Sequence, residues 1–193
     1  FEVPTPKIEK IMFDKFRKNP SRFPLQTPSG KIEISSETIS SFQLTDCHSH
    51  PCWYEPYEWL GNVDEYPLHL ISNQPKYRLH SQLDNAEMSQ KDKIHGKEPV
   101  MINSKDALDR DIKNGDIVLL YNARGRVLAG ARISDNVMPG VVVLSTGAWF
   151  DPDYDLNIER HGNPNVLTKD IGTSSLGQGP TCHTTLVELK KTN

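Results

Sequence analysis

The residues best equipped for chemistry gather in three stretches. The first is Ser72-Asn73-Gln74-Pro75-Lys76-Tyr77-Arg78-Leu79-His80-Ser81-Gln82, where donors of nearly every kind follow a short apolar run. Arg78 offers a planar, bidentate fork suited to phosphate, and Ser72 and Ser81 with neighbouring amides could complete an anion cradle. Asn73, Gln74 and Gln82 carry amide groups able to read the edge of a heterocycle. A solvated polar loop would have the same composition, so residue chemistry alone leaves both readings open. The second stretch joins His161-Gly162-Asn163-Pro164-Asn165-Val166-Leu167-Thr168 to Gly172-Thr173-Ser174-Ser175-Leu176-Gly177-Gln178-Gly179. Its glycines let backbone amides approach a ligand closely, while Asn and Gln supply amide readout. Taken alone it also suits a Gly-rich surface loop. The third is Cys47-His48-Ser49-His50-Pro51-Cys52. Its thiols and imidazoles resemble zinc ligands, yet structural zinc sites draw on two separated pairs and no second pair follows. Pro51 and Trp53 fit a packed turn, and no metal ligand is assigned.

No catalytic set emerges. There is no Gly-x-Ser-x-Gly elbow, no Gly-Lys-Ser/Thr phosphate loop and no dinucleotide-type glycine fingerprint, and Cys182-His183 are merely sequence neighbours. The chain reads as a binder, not as a self-contained catalyst.

The elements that must position these residues follow from periodicity. Ile8, Ile11, Met12, Phe13 and Phe16 recur at helical spacing, and Asn19-Pro20 should end that helix. Thr27-Pro28-Ser29-Gly30 is a turn, and Lys31-Ile32-Glu33-Ile34-Ser35 alternates as a half-buried strand does. Residues 1–65 therefore form an N-terminal extension of helix, hairpin and Pro/aromatic loop. From residue 66 to 193 strand signals dominate: 68–71, 100–102, 117–121, 126–133, 141–144 and 184–189. Asn103 should cap a short helix whose buried stripe is Ala107, Leu108 and Ile112. Short strands joined by tight turns with one brief crossover helix describe a closed β-barrel rather than a parallel α/β sheet. Between the last two strands lies an aperiodic run of about 40 residues, a length that marks a functional or disordered loop. Its Gly, Asn, Thr and Trp content favours an ordered binding loop.

Composition narrows the partners. Hydrophobic residues make up 36% of 193, few enough that much of the chain must lie in loops or meet something else. The net charge is -3 with no basic stripe, so nucleic acid is not expected. No apolar run approaches the roughly 18 residues of a membrane span, and no insertion is expected. Three cysteines give no disulfide framework. The opening Phe1-Glu2-Val3-Pro4-Thr5-Pro6 reads as the middle of a longer protein.

Several motifs occur in one order: Pro28-Ser29-Gly30-Lys31-Ile32-Glu33-Ile34, the run 66–83, Gly96-Lys97-Glu98-Pro99-Val100-Met101-Ile102-Asn103, Asn114-Gly115-Asp116, Gly147-Ala148-Trp149-Phe150-Asp151-Pro152, His161-Gly162-Asn163 and 172–179. In this order the chain resembles the carboxy-terminal part of the dimethyl sulfoxide reductase family, nearest its trimethylamine N-oxide, dimethyl sulfoxide and biotin sulfoxide branch. The resemblance implies a six-stranded double-psi β-barrel with short crossover helices that lies across bis(molybdopterin guanine dinucleotide). It implies cofactor contacts from Ser72, Asn73, Gln74, Arg78, His80, Ser81, Asn165 and Gln178, with Trp149, Asp151 and Pro152 shaping the same face. Family members often carry His in place of Asn73 or Gln74. The molybdenum ligand and substrate funnel would lie in preceding catalytic domains of the same polypeptide, so this portion would not reduce an N- or S-oxide alone. A c-type cytochrome donor and a periplasmic location are further implications, the biotin sulfoxide branch being cytoplasmic. The competing reading is a stand-alone double-psi barrel acting as a protein-interaction module.

Overall fold

The computed structural model of the chain describes residues 11–192. Contacts divide it into one unit ending at Tyr54 and another beginning at Glu55.

In the first unit, α1 (Asp14–Lys18) ends at Asn19, where the sequence placed the stop. Ile8 lies outside the described residues. The apolar spacing does not bury a helical stripe: Ile11, Met12 and Phe13 precede the helix and are exposed. Phe13 at φ 56 occupies the left-handed region, so the helical path cannot extend back through it. A second short helix, α2 (Glu37–Ser41), is capped by the Ser36 hydroxyl, which accepts the Ile39 N–H. The strand expected over 31–35 does not form, and Ile32 and Ile34 are 70% and 79% exposed. The described part of this unit offers no strand to pair with it. Local side-chain bonds hold the segment instead: Thr27 Oγ1 donates to Lys31 O, and the Glu33 carboxylate accepts the Ser29 N–H.

In the described part of the second unit, eight strands and two α-helices follow in the order β1 (Leu68–Ile71), α3 (Glu87–Asp92), β2 (Pro99–Ile102), α4 (Ser104–Leu108), β3 (Ile117–Tyr121), β4 (Arg126–Ile133), β5 (Val141–Leu144), β6 (Pro152–Asp153), β7 (Ile158–Glu159) and β8 (Thr185–Lys191), with a 3-10 turn over Pro164–Val166 before the last. Six of them close a ring, β2-β5-β1-β8-β3-β4 and back to β2. Two pairs in that ring are parallel, β1 with β5 and β2 with β4, and the other four are antiparallel. This is the double-psi barrel, and β7 and β6 extend it beyond β4.

Period-two alternation fills the barrel. Leu68 and Leu70, Val100 and Ile102, Val118 and Leu120, Val127, Ala129 and Ala131, Val142 and Leu144, and Val187 and Leu189 are all buried and form one core. α4 is capped as expected: Asn103 Oδ1 accepts the Lys105 N–H, while its Nδ2 donates to Val137 O. One member of its predicted stripe departs, because Leu108 is 79% exposed. The helix stops there, and the chain turns through Asp111 at φ 51, so Ile112 rather than Leu108 folds back onto Ala107. No helix among the described residues is long and apolar enough to cross a membrane.

Candidate functional site

Parallel pairing gives β1 and β5 the same direction, so the segments that follow Ile71 and Leu144 leave one end of the barrel side by side. The backbone amide of Thr146 donates to Asn73 O at 2.9 Å, and Ser145 Oγ donates to Asn73 Oδ1 at 2.9 Å. Further out the two segments cross at Gly147, which adopts φ +88. A Cβ there would stand 2.0 Å from His80 O, so no other residue fits without moving the backbone. Beyond the crossing, Trp149 Nε1 donates to Ser81 O at 2.8 Å.

A buried charge cluster underlies this crossing. Lys93 Nζ bridges Asp84 Oδ1 at 2.9 Å and Glu98 Oε2 at 3.2 Å. Arg78 pairs with Glu98 Oε1 at 3.1 Å, lies 3.5 Å from Asp84 Oδ1, and donates to Thr146 O at 3.1 Å. All four side chains are 4% exposed or less. Burial by itself would raise the Asp84 carboxyl, but the Lys93 ammonium, the Trp149 amide and the Arg78 guanidinium hold it below the ordinary aspartate value.

A third segment packs beside these two. The buried Glu159 carboxylate accepts four backbone N–H groups, from Asp151, His161, Gly162 and Asn163, at 2.7 to 3.0 Å. It thereby folds the 159–163 turn around itself. Asn163 Nδ2 then donates to Ala148 O, and His161 Nδ1 meets Trp149 O at 3.0 Å. Gly162 is required because a Cβ would lie 2.4 Å from Glu98 Cβ. On the rim, Arg160 holds the Asp151 carboxyl below its usual range.

The three segments enclose a cleft of about 430 Å³ lined by His80, Ser81, Trp149, Phe150, Asn163 and Asn165, among others. A neighbouring cleft of about 280 Å³ has Asn73, Gln74, Lys76, Arg132 and Ser145 in its wall. Of the residues singled out from sequence, His80, Ser81 and Asn165 meet in the first cleft, and Asn73 and Gln74 in the second. Gln74 Oε1 accepts the His80 N–H at 3.2 Å and its Nε2 lies 3.0 Å from His80 Nδ1, so the two clefts are braced against each other. Ser72, Arg78 and Gln178 line neither. Ser72 sits half-buried at the root of its loop. Arg78 departs from the exposed phosphate fork that its residue type suggested: it lies below the surface, its Nη2 shared between Glu98 and Thr146 O and its Nε beside Asp84 without a hydrogen bond. Gln178 bonds within its own loop, donating to Ser174 O at 2.9 Å. Sequence reasoning did not single out Asp84, Lys93, Glu98 or Glu159. The one available signal was a carboxylate, Glu98, at the mouth of the apolar strand Pro99–Ile102.

On another side of the barrel, Glu58 accepts both Arg124 nitrogens at 2.7 and 3.0 Å, pairs with Lys169 at 2.9 Å and takes the Leu186 N–H. Burial works against ionisation here, but these donors bring its carboxyl down to about 2. In the first unit, His48 pairs with the Tyr54 hydroxyl and stands edge-on to His50. The described residues contain no group of three His, Cys, Asp or Glu placed to hold a metal ion.

Fold and site define a ligand-holding double-psi β-barrel, its polar loops braced from below by buried charge. Residues 68–186 match the molydopterin dinucleotide binding domain, and the chain belongs to that family. It is 50% identical to the trimethylamine-N-oxide reductase of Salmonella typhimurium over an alignment of 207 positions that takes in 99% of this chain and 24% of that protein. It is also 50% identical to the biotin sulfoxide reductase of Cereibacter sphaeroides, covering 91% of this chain and 24% of that one. The chain thus spans about a quarter of the length of the curated relatives it matches. Acetylene hydratase from Pelobacter acetylenicus shares the fold, with TM-score 0.71 over 90% of this chain and 25% of that one, at 16% identity.

Proposed function

We propose that this chain grips bis(molybdopterin guanine dinucleotide) within a longer molybdenum oxidoreductase that reduces N-oxides or S-oxides. The observation that carries the reading is the convergence of three loops at one end of the parallel β1/β5 pair. Their donor chemistry suits the group. A pterin or guanine is a flat heterocycle edged with donors and acceptors. The first cleft sets the Trp149 and Phe150 rings beside the amides of Asn163 and Asn165, the Ser81 hydroxyl and the His80 imidazole. A diphosphate requires positive charge: Lys76 stands in the second cleft, and so does Arg132, which shares its charge with Asp92 in the same wall at 3.1 Å. Asn73 and Gln74 border that cleft and Ser72 roots the loop, while Gln178 holds the 172–179 turn through Ser174 O. Arg78 serves as a positioning residue from beneath. When bound, the cofactor supplies the metal and its oxygen-atom chemistry, while this chain holds and orients it.

The partners of this reading are the preceding catalytic domains of the same polypeptide and a c-type cytochrome electron donor. The parent enzyme belongs in the periplasm, or in the cytoplasm on the biotin sulfoxide branch. The quarter-length coverage of the reductases named above supports the same-polypeptide domains, whereas the electron donor and the location rest on the family resemblance alone. The test uses the full-length enzyme carrying His80→Ala with Asn165→Ala. Two lost hydrogen bonds of about 1 kcal/mol each should speed guanine-nucleotide loss on dilution roughly thirtyfold. Loss at the wild-type rate, with oxide reduction intact, would refute the assignment.

A further inference from the structure

The residues just before β1 belong with the barrel, since the second unit begins at Glu55. Among them Glu58 has a side chain only 16% exposed, and its carboxylate meets three separate segments. Oε1 takes Arg124 Nη1 at 2.7 Å, from the β3–β4 turn, and Lys169 Nζ at 2.9 Å, from the long loop before β8. Oε2 takes Arg124 Nη2 at 3.0 Å and the Leu186 N–H of β8 at 2.7 Å. The third nitrogen of Arg124 turns the other way. Its Nε donates to Leu167 O at 2.7 Å, so the planar guanidinium bridges Glu58 and the backbone of the long loop. We propose that Glu58 is a positioning residue for Asn165 in the first cleft, acting through the Arg124 guanidinium and the Leu167 carbonyl.

Asn165 is the middle residue of the 3-10 turn over Pro164–Val166, and both ends of that turn are held. At its start Asn163 Oδ1 accepts the Asn165 N–H at 3.0 Å, while Asn163 Nδ2 donates to Ala148 O. At its end Leu167, whose side chain is fully buried, donates its N–H to Pro164 O at 2.9 Å. The Leu167 carbonyl in turn receives Arg124 Nε and Asn122 Nδ2. Movement of the turn toward the barrel is blocked, because a Cβ on Gly125 would already stand 2.4 Å from Val166 O. Movement outward is opposed at Leu167. Without the Glu58 carboxylate, the Arg124 guanidinium would keep only its bond to that carbonyl and regain the rotamer freedom of a long side chain. Lys169, whose ammonium also lies 5.1 Å from the Tyr57 ring, would lose its carboxylate as well. Because Asn122 still holds Leu167 O, the expected result is a turn that loosens, not a loop that unfolds.

The effect on a ligand rests on reading the first cleft as the cofactor site, whereas the brace itself does not. Two measurements on the full-length protein test it. The first is hydrogen–deuterium exchange over 163–169 in the cofactor-free state. There Glu58→Gln, which keeps the bulk and removes the charge, should lower protection about fivefold, the effect of one hydrogen bond. The second is a double-mutant cycle on guanine-nucleotide loss upon dilution. Glu58→Gln and Asn165→Ala should each speed that loss up to about fivefold, and the double variant should be no faster than Asn165→Ala alone. A residue that merely stabilised the barrel would act independently, and the effects would multiply to about 25-fold. Arg124→Lys keeps a positive charge beside Glu58 but cannot also reach Leu167 O, so it should reproduce Glu58→Gln in both measurements. It carries the cycle if Glu58→Gln does not fold. Multiplying effects, or wild-type exchange over 163–169 in these variants, overturn the proposal. If exchange rises as expected but neither Glu58→Gln nor Asn165→Ala changes nucleotide loss, the brace stands and the cofactor reading of the cleft fails.

Discussion

Replacing Arg78 with Met separates two roles that sequence alone cannot distinguish. An arginine that binds phosphate from the surface would leave the protein's stability nearly unchanged when removed, and only ligand affinity would suffer. Arg78 is instead 3% exposed and supports Glu98 at 3.1 Å, Asp84 at 3.5 Å and Thr146 O at 3.1 Å. Without it, Lys93 alone faces two carboxylates that are 1% and 4% exposed, and the Thr146 carbonyl loses its donor. Breaking a buried pair from one side costs about 3–5 kcal/mol, against about 0–1 for a surface pair. At roughly 3 °C per kcal/mol for a unit of this size, the midpoint of the transition that unfolds this domain should fall by about 10–15 °C. The assay is thermal unfolding of cofactor-free full-length protein, so that lost ligand binding cannot contribute. Adding Glu98→Gln to Arg78→Met removes the stranded charge and should recover part of the loss. Arg78→Lys should fall between, because one ammonium cannot span three acceptors. A midpoint within about 2 °C of wild type, combined with poor cofactor retention, would mean that Arg78 meets the ligand directly.

Two further perturbations test the frame around the site. Glu58 ionises more readily in the folded chain, at about 2 against 4.5, so its stabilisation is present above 4.5 and lost as pH falls toward 2; Glu58→Gln should therefore be less stable at neutral pH and show a flatter acid limb in pH-dependent denaturation. Gly147→Ala combines φ +88 with a Cβ 2.0 Å from His80 O, whereas Gly115→Ala has φ +91 and open space; Gly115→Ala should cost about 1–2 kcal/mol and Gly147→Ala clearly more, and equal midpoints would show that the crossing yields easily.

The barrel was legible because its strands carry their own pattern. Leu68 and Leu70, or Val142 and Leu144, announce an inward face whatever their neighbours do. The same rule failed at Ile32 and Ile34, where alternation is present but no strand lies alongside among the described residues of the unit. Burial of a strand belongs to the pair, and a single segment cannot specify it. The polar loop after β1 was likewise visible, yet its internal division was not. Lys76 and Arg78 stand two positions apart on one loop, one at a cleft wall and the other buried beneath. What separates them is Glu98, twenty residues further along the chain, and the fold alone brings that carboxylate under the loop. Glu159 was equally hidden, since the partners of its carboxylate are backbone amides, which leave no trace in residue types.

The segment 146–149 explains why side chains so remote from one another must cooperate. It has left β5 and pairs with no strand, so its backbone groups must be satisfied some other way. Five of them find partners in different places: Thr146 N–H at Asn73 O, Thr146 O at Arg78, Ala148 O at Asn163, Trp149 N–H at Asp84 and Trp149 O at His161. Four of these five partners are side chains held by the buried charges or by the Glu159 turn. A strand partner would have fixed the segment flat against the sheet. Side-chain partners let it arch across His80 at Gly147 and carry Trp149 and Phe150 into the cleft wall. The buried ions are thus the means by which an irregular segment acquires one conformation, at a cost in desolvation that an apolar layer would avoid. It follows that substitutions at Asp84, Glu98 or Glu159, none of which lines the first cleft, should disturb that cleft more than exchanges among its own rim residues.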